Sequence, residues 1–239
     1  MKSLLTALQF LTRIPLPFDS GNNPIHSGRS LLWYPLVGVL IGLIIFALTK
    51  LLQQQPAMLV AILVLIIWVM ITGGLHLDGL ADSADAWAGG YGSKKKTLEI
   101  MKDPHVGSLA IVVLVLVLLL KVAALSELVK SDKAYFIILA PMLARSAVLY
   151  LFLTTPYVRP QGLGANMAKH CPHVLGIIVL LLFVVPAVII NPLAVLAAGL
   201  ALTGLRYLMM KRLSGMTGDT IGASIEITEA VVLVSLVMM

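Results

Sequence analysis

Seven apolar stretches, each close to the length that crosses a bilayer, constrain this chain more than anything else in it. They fall at approximately 31–49, 57–74, 109–126, 134–153, 174–190, 192–209 and 221–239. A helix needs about 20 predominantly apolar residues to cross a hydrocarbon core of about 30 Å. Spanning backbone must satisfy its own hydrogen bonds, which leaves helices or a closed barrel, and continuous rather than alternating runs select helices. Composition agrees: 59% of the 239 residues are hydrophobic and 12% are charged, against roughly 25% charged in a soluble domain. Mean hydropathy is +1.01. The sequence therefore predicts an all-α, polytopic integral membrane protein of about seven transmembrane helices.

Ahead of the spans, Leu4, Leu5, Leu8 and Leu11 share one helical face, which predicts a short N-terminal interfacial helix. Ile14-Pro15-Leu16-Pro17 ends it, because proline lacks a donor and restricts its neighbour. Asn191-Pro192 reads as a tight turn joining spans five and six. No cleavable signal peptide is expected, since the first long apolar run starts near Leu31, after Arg13, Asp19 and Arg29. A single cysteine, Cys171, excludes an intrachain disulfide.

Lysine and arginine set an orientation. With the N-terminus inside, the inner side carries Lys2, Arg13, Arg29, Lys94, Lys95, Lys96, Lys102, Arg159, Lys169, Lys211 and Arg212. The outer side carries Lys50, Lys121, Lys130 and Lys133, while Arg145 and Arg206 fall inside spans. The positive-inside rule then predicts N-in and C-out. Residues 1–239 form one membrane domain, with an interfacial segment over 1–30 and cytoplasmic loops at 75–108, 154–173 and 210–220. The net charge of +6 reads as topology signal and anionic-lipid contact rather than nucleic-acid binding.

The eleven acidic residues carry the chemistry. Asp78, Asp82 and Asp85, at i, i+4 and i+7, lie within roughly 60° on one helix face. Asp219, Glu226 and Glu229 share a face of a second helix, and the orientation puts both sets at the inner side. Two such charges about 6 Å apart repel by about 3 kcal/mol at an effective dielectric of ~20, so a cation or protonation must compensate. Hard oxygen donors without a matching histidine or cysteine pair favour Mg²⁺ or Mn²⁺ over zinc, and six acids have room for two ions. The plainer reading makes Asp78 and Asp219 helix N-caps. Gly73, Gly74, Gly79, Gly215, Gly218 and Gly222 admit either a close phosphate or tight helix packing.

Lys102, Arg206, Lys211 and Arg212 are candidates for holding phosphate, with membrane anchoring the alternative for the last two. Arg145, a charge inside a span, is expected to face protein or a water-filled cavity. Asp103 joins the site or caps the next helix, and His76 is a candidate hydrogen-bonding partner for substrate. A secondary transporter would also carry intramembrane acids, but near the midplane and often with an internal repeat.

The run Gly73-Gly74-Leu75-His76-Leu77-Asp78-Gly79-Leu80-Ala81-Asp82-Ser83-Ala84-Asp85 closely resembles the signature of the cobalamin (5′-phosphate) synthase family. So does Gly215-Met216-Thr217-Gly218-Asp219-Thr220-Ile221-Gly222-Ala223 with Glu226 and Glu229. Weaker matches are Thr12-Arg13-Ile14-Pro15-Leu16-Pro17, Met101-Lys102-Asp103 with Gly107, and Gly162-Leu163-Gly164. The chain departs from the pattern at Ala86 and Pro104, neither of which removes an acid. The resemblance implies an Mg²⁺-dependent transferase that joins α-ribazole, or its 5′-phosphate, to adenosylcobinamide-GDP with loss of GMP. On that footing Asp78, Asp82, Asp85 and Asp219 are the expected metal site. Glu226 and Glu229 are further ligands or outer acids, and Asp82 or Asp85 is the general base. His76, Lys102, Asp103, Arg145, Arg206, Lys211 and Thr217 are the expected substrate contacts. A CDP-alcohol phosphotransferase also gathers aspartates on membrane helices, but its Asp-Gly-x-x-Ala-Arg pattern has arginine where Asp82 follows Ala81 here.

Overall fold

The computed structural model describes residues 2–15, 23–161 and 163–238. Leu16, Pro17, Asp19 and Gly162, which figure in the expectations above, lie outside the described residues. Every long element among the described residues is a helix. Helix α1 (Lys2–Leu11) is followed by α2 (Pro24–Ser30), which runs through a 3-10 turn at Leu31–Trp33 into α3 (Tyr34–Leu51). Asn23 starts α2 by accepting from the Ile25 amide at 3.0 Å, with Pro24 at the first helical position, where a missing amide costs nothing.

Helix α4 (Ala57–Thr72) stops at Gly73 and Gly74, both left-handed at φ 67° and 69°. Two consecutive residues with positive φ are accessible only to glycine at little cost. The chain leaves them at 89° to its former direction as α5 (Leu75–Gly89). We read α4 alone, about 24 Å long at 1.5 Å per residue, as the second span, and α5, which carries His76 and three aspartates, as lying outside the spans. Then follow α6 (Lys94–Ile100), α7 (Ser108–Lys130), a 3-10 turn at Ala134–Ile138 leading into α8 (Leu139–Thr154), α9 (Leu163–Lys169), α10 (His173–Ile190), α11 (Pro192–Leu213) and α12 (Gly218–Val237). Six helices are long and apolar enough to cross a membrane, and α4, the apolar arm of the bent α4–α5 pair, brings the number up to seven.

Burial sorts the spans into layers. In their most apolar windows α8 and α12 are 78% buried, whereas α10 and α11 are only 11% and 17% buried. Helix α12 carries Gly222, Ala223, Ser224 and Ala230 at the places where neighbours approach. Small residues permit such approach, and serine returns its hydroxyl to its own helix, as Ser224 does to the Thr220 carbonyl at 2.8 Å. Helix α10 is nearly all Leu, Val and Ile and faces outward. It meets α11 without a loop, because the Asn191 side chain caps the Ala194 amide at 2.9 Å and Pro192 opens the next helix. Helix α1 differs from a helix lying free in the interface. Ala7 and Leu11 are fully covered by protein, and α1 packs on α2 and α3.

Candidate active site

The two acidic motifs meet because α5 crosses α12 where neither has a side chain in the way. A Cβ on Gly79 would come within 2.7 Å of the Asp219 carbonyl oxygen, and one on Gly222 within 3.2 Å of the His76 carbonyl oxygen. The crossing sets the first turns of both helices together, with Asp78 in one and Asp219 in the other. Acids there are favoured by the positive ends of the two helices. Neither is the N-cap. Thr217 caps α12, accepting from the Thr220 amide at 3.2 Å, while the Thr220 hydroxyl accepts from the Thr217 amide at 2.9 Å.

A short parallel bridge brings a third partner. Val158 donates to the Met216 carbonyl at 2.9 Å and Met216 to the Pro156 carbonyl at 2.8 Å. The segment after α8 is thereby pinned beside the start of α12, and Arg159 Nη2 lies 2.7 Å from Asp219 Oδ2. The two side chains form a partly exposed ion pair at the start of α12. Asp82, one turn beyond Asp78, is partly buried. That burial, and then the charges of Asp78, Asp219 and Asp85, push its carboxyl up to about 6 against the lowering pull of Arg159.

Asp85 does something else. Its Oδ2 accepts from the Gly107 amide at 2.5 Å and its Oδ1 from the Ala110 amide at 3.0 Å. Both oxygens satisfy open amides at the start of α7, so Asp85 anchors the 90–107 segment rather than facing the other acids.

Glu226 and Glu229 are not with the aspartates. Seven residues of helix put Glu226 about 10 Å further along α12 than Asp219, in a buried cluster with two cations. Lys121 Nζ lies 2.5 Å from Glu226 Oε2 and 2.6 Å from Glu229 Oε2, and Arg145 Nη1 bonds Glu229 Oε1. All four side chains are at most 6% exposed, and Lys121 also lies 5.1 Å from the Trp68 ring centroid. Two acids and two cations neutralise one another, which removes the demand for a metal there. The structure thus overturns three expectations: these glutamates as ligands, Arg145 as a substrate contact, and Lys121 as an outer-side charge.

Other expected contacts are also engaged elsewhere. Arg206 donates to the Thr154 carbonyl at 2.7 Å and to the Thr155 hydroxyl at 3.1 Å, closing the C-terminal end of α8. Lys211 sits 5.7 Å from the Tyr207 ring centroid on the exposed surface. Arg212 reaches the Thr97 hydroxyl at 3.2 Å and stacks on Trp87. Asp103 holds the exposed turn at His105, accepting from its amide at 3.0 Å, and caps no helix. Lys102 is exposed, and the Thr217 hydroxyl accepts in its cap and donates toward Met101 Sδ at 3.8 Å. His76 does reach the site: it is 4% exposed, neither ring nitrogen has a partner, and it lines a cavity.

That cavity, of about 270 Å³, opens where Asp78 and Asp219 stand and is walled by Phe10, Leu11, Tyr34, Phe152, Tyr157, Met167, Ile221 and Ile225. Leu11, Tyr34 and Ile225 are about 1% exposed and form its interior, whereas Asp78 is exposed at the mouth. Arg159, Tyr157 and the α1 wall escaped the sequence reading, because a bridge across more than fifty residues of chain has no local signature.

Among the described residues no three His, Cys, Asp or Glu groups converge into a preformed metal cage. Asp78 and Asp219 are nonetheless hard oxygen donors at one mouth, with Asp82 one turn further along α5. Mg²⁺ is ordinarily held by one or two carboxylates together with substrate phosphates, and this donor set fits that mode rather than a closed two-ion cage.

Fold and side chains together define a polytopic membrane protein with a carboxylate and guanidinium cluster at one face. The model of the cobalamin-5-phosphate synthase family matches residues 3–237, and the chain belongs to that family. A relative from Pseudomonas fluorescens (strain SBW25), named adenosylcobinamide-GDP ribazoletransferase, is 49% identical over 236 residues, covering 97% of this chain and 98% of its own. Similarly named relatives from Pseudomonas entomophila and Pseudomonas aeruginosa are 50% and 49% identical, covering 98% and 100% of this chain and 97% and 98% of their own. No solved structure matches.

Proposed function

We propose that this chain joins α-ribazole, or α-ribazole 5′-phosphate, to adenosylcobinamide-GDP and releases GMP. The observation that carries the reading is the gathering of Asp78, Asp82, Asp219 and Arg159 at one crossing, with Asp78 and Asp219 lining a cavity. The relatives' shared name supplies the substrates.

The reaction is one displacement at phosphorus. The ribazole hydroxyl oxygen forms a bond to the phosphorus attached to the corrinoid arm. The bond from that phosphorus to the bridging oxygen of GMP breaks, and the electron pair leaves on GMP. Asp82 takes the hydroxyl proton, which a carboxyl poised near neutrality can do. Asp78 and Asp219 would hold Mg²⁺ jointly with diphosphate oxygens, and the ion when bound offsets charge on the departing phosphate. Arg159 exchanges Asp219 for a diphosphate oxygen when substrate arrives, a charge-assisted contact. Asp85 keeps the 90–107 segment in place beside the site.

Protein in nanodiscs, given adenosylcobinamide-GDP, α-ribazole and Mg²⁺, should release GMP and joined corrinoid in equal amounts. Arg159→Gln should raise the KM for adenosylcobinamide-GDP about tenfold or more with a smaller change in kcat. No GMP above a chelator control contradicts the reading.

We also place residues 75–108, 154–173 and 210–220 at the cytoplasmic face of a bacterial membrane. With Lys121 buried, Lys50, Lys130 and Lys133 are the cations left for the other side, which strengthens the bias of lysine and arginine.

A further inference from the structure

The cavity behind the acids has a chemistry of its own. Its interior is aromatic and aliphatic, and its few polar groups are nearly all spoken for. Tyr34 Oη lies 3.8 Å from Met167 Sδ, and the Tyr157 hydroxyl lies against Gly218 at the mouth. His76 is the exception: more than nine-tenths buried, lining the cavity, with both ring nitrogens unpartnered. An imidazole buried without a partner is costly unless a ligand completes it.

Size and polarity discriminate among the pieces of the two substrates. About 270 Å³ lies at the small end for ligand sites, which run roughly 300–1,000 Å³, so a corrin macrocycle is excluded and one fused-ring base is not. Guanine brings a carbonyl, a ring nitrogen acceptor and two sets of N–H donors along its edge. Placed among Leu11, Phe152 and Ile225 it would leave most of them unsatisfied. The base of ribazole is a benzimidazole, apolar over its fused ring, with a single ring nitrogen free beside the glycosidic bond. One acceptor meets one unpartnered imidazole.

Resting on the proposed activity, we infer that the cavity is the seat of the α-ribazole base, with the His76 imidazole donating to its free ring nitrogen. The ribose then lies at the mouth, where Asp78 and Asp219 stand, and its hydroxyl reaches the carboxylates from inside the protein. The corrinoid diphosphate approaches from the solvent side, by way of Arg159. His76 is on this account a binding residue of the nucleoside, and the wall of Val148, Phe152 and Ile225 selects against polar bases.

The test is binding measured without turnover. Wild-type protein in nanodiscs is titrated with α-ribazole alone, with guanosine and GMP as competitors. α-Ribazole should bind, and neither competitor should displace it at concentrations a hundredfold above its Kd. His76→Ala should weaken α-ribazole binding at least tenfold, His76→Gln should recover part of the loss, and Val148→Phe, which fills the cavity, should abolish it. Affinity for adenosylcobinamide-GDP should move less than threefold in all of them. Displacement of α-ribazole by guanosine or GMP from the wild type overturns the assignment without any variant. So does undiminished α-ribazole binding in Val148→Phe, or a loss there of adenosylcobinamide-GDP binding instead. If α-ribazole binds as described while no GMP is ever released, the proposed transfer fails and the assignment of the cavity stands.

Discussion

Asp82 is the residue on which the proposed chemistry turns, and its surroundings specify a pH dependence. Burial and the neighbouring acids raise its carboxyl to about 6. Below that value the proton sits on Asp82 and it accepts none from the attacking hydroxyl. As pH rises through about 6 the base form appears. The logarithm of kcat/KM should therefore climb with unit slope on the acid side and level off above about pH 7. More Mg²⁺ should move the limb to lower pH, because a nearby cation favours the carboxylate. Asp82→Asn should lower kcat about 10²–10⁴-fold and abolish the limb; a flat profile from pH 5 to 8 in the wild type speaks against Asp82. Periodicity alone made Asp78, Asp82 and Asp85 legible as one face of a helix. It carried no sign that Asp85 spends both oxygens on amides 22 and 25 residues away. Arg159 was visible only as one more basic residue in an inner loop, since its partner is set by the bridge between Tyr157 and Met216.

At the scale of the helix, α12 shows what residue spacing says and what it leaves out. Asp219, Glu226 and Glu229 do share a side, as their intervals require, but the rise per residue carries the glutamates down into the protein while Asp219 stays at the end. There they meet Lys121 of α7 and Arg145 of α8, so the cluster ties three helices together. Lys121→Met would leave a buried carboxylate uncompensated. A loss of about 3–5 kcal/mol is expected, read as a lower thermal midpoint in detergent. Removing Glu226 as well, in Lys121→Met/Glu226→Gln, should recover much of that loss, because Arg145 and Glu229 still balance. An unchanged midpoint in Lys121→Met contradicts a neutralised cluster. The turn at Gly73-Gly74 was legible as glycine at the end of a span. Its 89° bend, which lays α5 across α12, follows from two successive left-handed residues and has no counterpart in hydropathy.

Across the whole molecule, hydropathy located the spans closely: the apolar runs near 31–49, 57–74, 109–126, 174–190 and 192–209 are helices whose ends fall within a few residues of those bounds. It did not separate the buried spans α8 and α12 from the lipid-facing α10 and α11, since a Leu-rich surface suits lipid and protein alike. Nor did it foresee α1 as a wall of the site. With Cys171 replaced by serine, single cysteines at Ser93 and Ser214 should label in inverted membrane vesicles and one at Gln54 in intact cells; the reverse pattern refutes the orientation. The central claim is that Asp78 and Asp219, on two helices that share no loop, complete one divalent-cation site with the substrate's diphosphate. Binding of Mn²⁺ followed by its paramagnetic resonance, with and without adenosylcobinamide-GDP, tests it most directly. The ion should bind weakly alone, at least tenfold more tightly with the diphosphate present, and lose that gain in Asp78→Asn and Asp219→Asn alike. Wild-type Mn²⁺ binding in both variants would contradict it.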